Sequence, residues 1–394
     1  MRQESVAQRL RRLRKLRGVT QLFLADHAGV SASLLQKVEI GQVPASPAFV
    51  AAVARVLQVS PGYLYGTEAQ QVEDQPMAET AGISALRKAL DAYDDPQVEG
   101  DPLPLAFIDS RLTELAGQVV RLKYGDAATE LAGILQHLYI HAHGPDPDGL
   151  IAKAALHDAY RLTATVAGRF GQPDLAAMAS ERHIALAPDT GDPVRIAVSA
   201  FHRSTRHLRS GDYAAGIRLI ERARGEIDDG LEAASGVHVQ LDLRASVLAA
   251  RDGDRDGADE HIQQARRRVE AGGVQETPYR GLDASPTNIA THWVGAAVES
   301  ADPAASVERA THVEVLDPGR PERVGRYYVD LARAHLLNGD RAQSIEALSR
   351  ARTVDPVNTR QSPQVRETIL ALADRDRRTT DTLPELAKWA GVKL

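Results

Sequence analysis

"YYVDLARAHLLNGDRAQSIEALSRARTVDP" (residues 327–356) is the stretch on which the fold turns. On either side of Gly339-Asp340 apolar residues recur at i, i+3, i+4 and i+7, the period of amphipathic helices. Gly at such a junction supplies the left-handed conformation that ends one helix, and Asp can cap the next. The same signature returns upstream. "GDYAAGIRLIERA" begins at Gly211, "GDRDGADEHIQQA" at Gly253 and "GDRAQSIEALSRA" at Gly339, each with Ala twelve positions after its Gly. The intervals are 42 and 86 residues, and a degenerate unit, "ADPAASVERA" from Ala301, falls inside the longer one. "GQPDLAAMASERHIALA" from Gly171 and "GDAATELAGILQHL" from Gly125 have the same texture. About six helix pairs of roughly 38 to 48 residues predict a right-handed α-solenoid, with Ala residues letting helices approach closely.

The unit at 327–356 closely resembles a tetratricopeptide repeat (TPR), down to the terminal Asp355-Pro356. The other units are looser and longer than that family's period, so the array is TPR-like. Before it, "VSPGYLYG" closes a first unit at Gly66, and "TEAQQVEDQPMAET" (67–80), polar and acidic with one Pro, reads as a linker. A second polar gap, "DAYDDPQVEGDPLP" (91–104), separates a short helix at about 82–93 from the main body. The expected division is therefore 1–66, a linker at 67–80, and a helical-repeat domain at 81–394.

Charge is divided along the same line. The net charge is only -6. Yet residues 1–66 carry nine Lys/Arg against three acids, a surplus of six that leaves -12 on the remainder. A basic head on an acidic body is an electrostatic footprint for nucleic acid at one end. The absence of cysteine excludes disulfides, thiolate zinc sites and cysteine nucleophiles. No apolar run approaches the roughly 20 residues of a membrane span, and the charged N-terminus lacks the apolar segment of a secretory signal. The expectation is a soluble, cytoplasmic protein. Forty Arg to seven Lys, with abundant Ala, suits a GC-rich genome.

In the head, "RLRRLRKLRGVTQ" (9–21), "LADHAGVSASLLQKVEIGQ" (24–42) and "VAAVARVLQVSPGYLYG" (50–66) agree in spacing and residue type with five short helices. They resemble the phage-repressor-type helix-turn-helix (HTH) of the xenobiotic-response-element (XRE) regulators. The fold class expected is all-α: a five-helix HTH domain followed by a TPR-like right-handed α-solenoid. Gly29 permits the turn between the second and third helices, and Ser31 can cap the third. Leu24, Ala25, Ala28, Leu35, Val38, Leu57, Val59 and Leu64 form the expected small core.

In this docking geometry the N-terminal part of the reading helix faces base edges. That assigns Ala32, Ser33, Gln36 and Lys37 as outward positions, with Ser31 at the cap; Gln and Lys can bond base edges and Ala can touch a thymine methyl. Gln21 matches the family position that contacts phosphate. Arg14 and Glu39 match a pair that forms an internal salt bridge. Arg11 and Arg14 belong to a cationic first helix, with Arg9, Arg12, Lys15 and Arg17, that can neutralise phosphates. Relatives commonly carry Arg or Lys near 32, 40 and 42, where this chain has Ala, Ile and Gln. Weak binding by a monomer and dependence on a homodimer follow, with an inverted-repeat DNA operator as partner. An HTH used only for protein contacts is the other reading.

An HTH followed by helical repeats resembles the peptide-pheromone receptors of Gram-positive bacteria and the HTH–TPR regulators of actinomycetes. That resemblance implies a dimerisation body whose concave surface takes a small-molecule or peptide effector. The first helix of each unit would line it: His202, Arg203, Arg206 and His207; Asn288, His292 and Trp293; Arg326, Tyr327 and Arg333. Arg, His and Tyr there suit an anionic or carboxylate ligand; the same residues can equally be solvated faces, and Trp293 core. Peptide receptors often clamp backbone with Asn, and only Asn288, Asn338 and Asn358 occur here.

His137, His141, His143, Asp146 and Asp148 form a metal-like cluster, but without a Glu in the HExxH arrangement no metal is assigned. No cofactor is implied. Lacking a nucleophile elbow, a phosphate-binding glycine loop or a placed carboxylate pair, the chain is not expected to be an enzyme. Two functions remain: a ligand-sensing transcription regulator, or a DNA-tethered docking platform that recruits or sequesters a protein.

Overall fold

The computed structural model describes residues 4–57, 59, 61–66, 77–144, 148–231, 233–272, 283–374 and 382–392, with backbone alone for 77–81. Among them are 21 α-helices, one short 3-10 helix (Pro188–Thr190) and no strand. The head comprises α1 (Val6–Leu16), α2 (Gln21–Ala28), α3 (Ala32–Glu39), α4 (Pro47–Val56) and α5 (Pro61–Tyr65). Ser5, Thr20, Ser31 and Ser46 precede the first four helices, and each side-chain oxygen accepts a backbone N–H of the turn it caps. Gly29 ends α2 at φ +65°, a conformation that a Cβ would strain. Leu10, Leu24, Leu35, Val50, Leu57 and Leu64 are buried in one core, and Val59 packs against it half-buried.

The body opens with α6 (Met77–Asp91), which begins inside the stretch expected as linker; 67–76 lie outside the described residues. The expected short helix at about 82–93 is thus longer at its start. Then follow α7 (Leu105–Val120), α8 (Tyr124–Ala142), α9 (Asp148–Arg169), α10 (Pro173–Leu186), α11 (Pro193–Ser210), α12 (Tyr213–Gly225) and α13 (Ala234–Asp252). The chain continues through α14 (Arg255–Glu270), α15 (Pro286–Glu299), α16 (Pro303–Thr311), α17 (Pro321–Leu337) and α18 (Arg341–Val354). It finishes in α19 (Pro356–Gln361), α20 (Pro363–Asp374) and α21 (Thr382–Trp389). Among the described residues, no helix is long and apolar enough to cross a membrane.

The Gly-Asp junctions act as the sequence suggests. Gly211, Gly253 and Gly339 adopt φ of +74°, +90° and +85°. Asp212, Asp254 and Asp340 then accept the N–H of Ala215, Gly257 and Gln343. In the degenerate unit Ala301 takes the same left-handed conformation at φ +57°, and Asp302 caps Ala305. The unit placed at Gly125 differs. Gly125 lies inside α8, and the left-handed residue of that junction is Leu122, at φ +63°.

Consecutive helices pack as pairs, α8 on α9, α11 on α12, α13 on α14 and α17 on α18, while α13 also touches α11 and α15, and α15 touches α17. The array turns back on itself. α19 packs against α9, Val357 against the core of α6–α10, and Asn358 Nδ2 lies 3.3 Å from the Tyr124 hydroxyl. Gln361 Nε2 donates to Arg169 O at 2.5 Å, and Arg169 pairs with Glu322 at 2.5 Å. The two ends of the body therefore meet at a polar seam.

Candidate functional site

Four capped helix starts and one left-handed glycine orient the head's two candidate reading elements. On α3, Ser31, Ala32, Ser33, Gln36 and Lys37 are all exposed, while Leu35 and Val38 face the core. Ser31 Oγ accepts the Leu34 N–H at 3.1 Å, so its hydroxyl is committed to the helix start. Beside α3 lies an open cleft of about 550 Å3 that brings Arg11, Arg14, Lys15, Gln21 and Gln36 together. Arg11 and Lys15 on α1 and Arg17 at its C-terminal cap are exposed cations; Arg12 is exposed but pairs with Glu4 at 3.1 Å.

Arg14 and Gln21 are less free than their neighbours. Arg14 Nε donates to Glu39 at 2.5 Å and its Nη1 to Val19 O at 2.8 Å. Its side chain is 11% exposed and that of Glu39 1%. Gln21 Nε2 donates to the other Glu39 oxygen at 2.6 Å. Burial pushes the Glu39 carboxyl up, but the bonds from Arg14 and Gln21 more than offset it and hold it below its usual range. This is a buried brace behind the cleft.

The head is anchored across the body. The Val6 N–H donates to both carboxylate oxygens of Glu367 on α20, at 3.2 and 3.3 Å. Ala48 of α4 packs against the core of α11–α13, and α4 touches α11. Burial raises the Glu367 carboxyl to about 7, against the opposing pull of the Val6 N–H and Arg9. The Tyr65 hydroxyl, enclosed and without a hydrogen-bond partner, feels Arg251, Arg333, Glu367 and Glu299. Burial, the largest effect, pushes its pKa up. Those four residues belong to α13, α17, α20 and α15, so the end of the head stands over the middle of the body.

Within the body is a cavity of about 500 Å3 to which α9, α11, α13, α15, α17, α19 and α20 contribute. Of the ligand residues expected from sequence, His292 and Arg326 line it. His292 Nδ1 is 2.9 Å from Asn288 O, which can only accept, so Nδ1 carries the proton. Burial, with Arg323 next in weight, lowers its pKa to about 3. Arg326 Nε pairs with Asp330 at 2.8 Å. Arg333, beside the cavity, is buried between Glu299 and Asp330 at 2.8 and 2.9 Å.

The others lie elsewhere. His202 joins His157 and His183 in a buried cluster, with ring centroids 3.9 and 5.1 Å apart in turn. Arg206 pairs with Glu181 at the exposed surface. Trp293 sits under Arg266 and Arg309 and packs against the core of α13 and α14. Tyr327 is buried, its hydroxyl 3.5 Å from Ala310 O. Sequence reasoning missed Arg169, Arg244, Arg251 and Arg323, all of which line the cavity. The only local hint at Arg244 was an Arg set among Leu and Val in "LDLRASVL" (241–248), which does not show that it lacks a partner.

His137 Nδ1 accepts from Leu103 N–H at 3.3 Å, and His141 Nε2 meets Leu103 O at 2.9 Å. His143 is tied to Tyr139 O, and Asp146 lies outside the described residues. The two histidines clip a loop to α8. Among the described residues no group of three His, Asp or Glu side chains could hold a metal ion.

Residues 5–63 match the family model of a helix-turn-helix domain. No curated protein matches the chain. The protein thus consists of an N-terminal helix-turn-helix domain, whose type implies DNA binding, followed by a long all-helical region.

Proposed function

We propose that the chain is a cytoplasmic, homodimeric, sequence-specific transcription regulator, not an enzyme, whose body senses a small molecule or peptide. The observation that carries this reading is the outward face of α3, with Ala32, Ser33, Gln36 and Lys37 exposed beside the cleft holding Arg11 and Lys15. The body is a TPR-like right-handed solenoid turned back on itself. Affinity comes mainly from phosphate neutralisation by α1, and sequence information from α3. With one cation on the reading helix, two heads are needed on an inverted repeat. A twofold axis sets them about 34 Å apart, one DNA turn, or a multiple of it.

Regulation is a population shift. A ligand that favours one placement of the heads changes operator affinity by its differential binding to the two arrangements. Support for this comes from the head's attachment to the body at α20 and α11, and from Tyr65 standing near Arg251 and Glu299, which line the cavity.

The test is selection of bound fragments from random-sequence DNA by the full-length protein at about 150 mM salt, where non-specific binding is suppressed. A recovered palindrome is the expected outcome. Failure to enrich any motif, with the fold intact, counts against the regulator and favours a body that docks protein partners.

A further inference from the structure

The arginines of the interior cavity differ in one respect. Arg169 has Glu322 at 2.5 Å, Arg251 has Glu299 at 3.0 Å, Arg326 has Asp330 at 2.8 Å, and Arg323 has Asp283 at 3.7 Å. Arg244 has no carboxylate among the described residues. Its guanidinium lies over the Phe201 ring, 4.2 Å from the centroid. Burial, then the like charges of Arg251, Arg323 and Arg209, pull its pKa down to about 9. A half-buried guanidinium with no counter-ion among the described residues is costly to hold charged. A planar, forked donor held against an aromatic face is also the side chain best suited to grip an oxyanion bidentately.

Around Arg244 the wall is partly apolar. Leu208, Val247, Ala296 and Val329 face the same space, with Thr291 and His292. Its volume, about 500 Å3, falls in the ~300–1,000 Å3 range of small-molecule sites.

We propose that this cavity is a binding site for a small organic anion, with Arg244 gripping its carboxylate or phosphate headgroup and Leu208, Val247 and Val329 covering its apolar body. The proposal rests on the sensing part of the function above and gives it a ligand class. Arg251 and Glu299, which line the site, also act on Tyr65 of the head, so the bound anion sits next to the attachment of the DNA reader.

The experiment is calorimetric titration of the full-length protein, without DNA, with benzoate, phenyl phosphate, inorganic phosphate and benzamide. Benzoate or phenyl phosphate binds, and the better of the two names the headgroup. Benzamide, the neutral isostere of benzoate, binds about tenfold more weakly or worse than the better anion, the loss expected of a charge-assisted bond. Arg244→Met weakens the anions by a similar factor, while Arg206→Met, whose partner Glu181 lies outside the cavity, leaves them unchanged. Equal binding of benzamide, undiminished binding by Arg244→Met, or no binding of either aromatic anion overturns the proposal. Should Arg244→Met not fold, the benzoate–benzamide comparison on the unaltered protein decides alone. Because no DNA is present, this result stands apart from the fragment selection, and either can fail without the other.

Discussion

Glu39 and Lys37 are two residues apart on α3 and fail in different ways. Glu39 is enclosed by Arg14 and Gln21, so Glu39→Ala leaves a buried guanidinium unpaired. Breaking such a pair costs about 3–5 kcal/mol, and the expected readout is an early unfolding transition and faster hydrogen exchange in α1–α3. Gln36 and Lys37 are exposed and brace nothing, so the double change Gln36→Ala, Lys37→Ala keeps the fold. Its effect is loss of preference between operator and random DNA, with residual salt-dependent affinity from α1. Equal weakening on both DNAs would remove α3 from the reading role. The exposed set 32, 33, 36 and 37 was legible in sequence because helical period alone decides which side faces away from Leu35 and Val38. Arg244 was not legible. Its significance lies in having no acid partner among the described residues, a property of the helices packed around it that no local pattern records.

At the scale of the element, the junctions carry most of the information. Gly211, Gly253 and Gly339 were recognisable because the left-handed residue and the cap that follows it are adjacent in sequence. Leu122 hid the corresponding junction of α8, since a leucine gives no sign of positive φ. Ala301 holds that conformation with a Cβ. Ala301→Gly therefore relieves about 1 kcal/mol of strain, and thermal unfolding should move up. Asp340→Ala removes a cap and costs about 1 kcal/mol in the opposite direction.

The packed histidines also act at this scale. His157, His183 and His202, from α9, α10 and α11, are enclosed with Asp158, Arg161 and Arg195 nearby, and burial is the main cause holding each pKa down. His183 falls to about 3. Because the folded values lie below the unfolded one, the stability of these neutral rings is complete above about pH 6.5 and drains away as pH falls. For His183 the slope approaches about 1.4 kcal/mol per pH unit between roughly pH 6 and its folded value of about 3. Glu367, raised to about 7, slopes the other way over 4.5 to 7, but it is one group against several. Denaturant unfolding at pH 7.5 and pH 5.5 should show the lower stability at pH 5.5; the reverse order would contradict the buried neutral cluster.

For the whole molecule, two long-range attachments define the shape, and neither left a trace in periodicity. The head meets α20 through the Val6 N–H and Glu367, 361 residues apart, and the body's ends meet through Arg169, Glu322, Asn358 and Gln361. Both are fastened by polar contacts between surfaces that read as solvated faces, with Ala48 and Val357 packing beside them. Glu367→Ala should release the start of α1, seen as faster amide exchange at Val6 with the body's core unchanged. Glu367→Gln, which keeps an acceptor for the Val6 N–H, should retain protection.

The seam has a consequence for how such a chain can diversify. An open array accepts the gain or loss of a unit at little cost, since each unit touches only its neighbours. Here an added helix pair would push Gln361 away from the Arg169 carbonyl and Glu322 away from its guanidinium, and the interior would open to solvent. Length is thereby frozen by geometry. Descendants of this architecture would vary by exchanging side chains on the inner wall, so relatives of equal repeat number but different wall chemistry are what its history should have left behind.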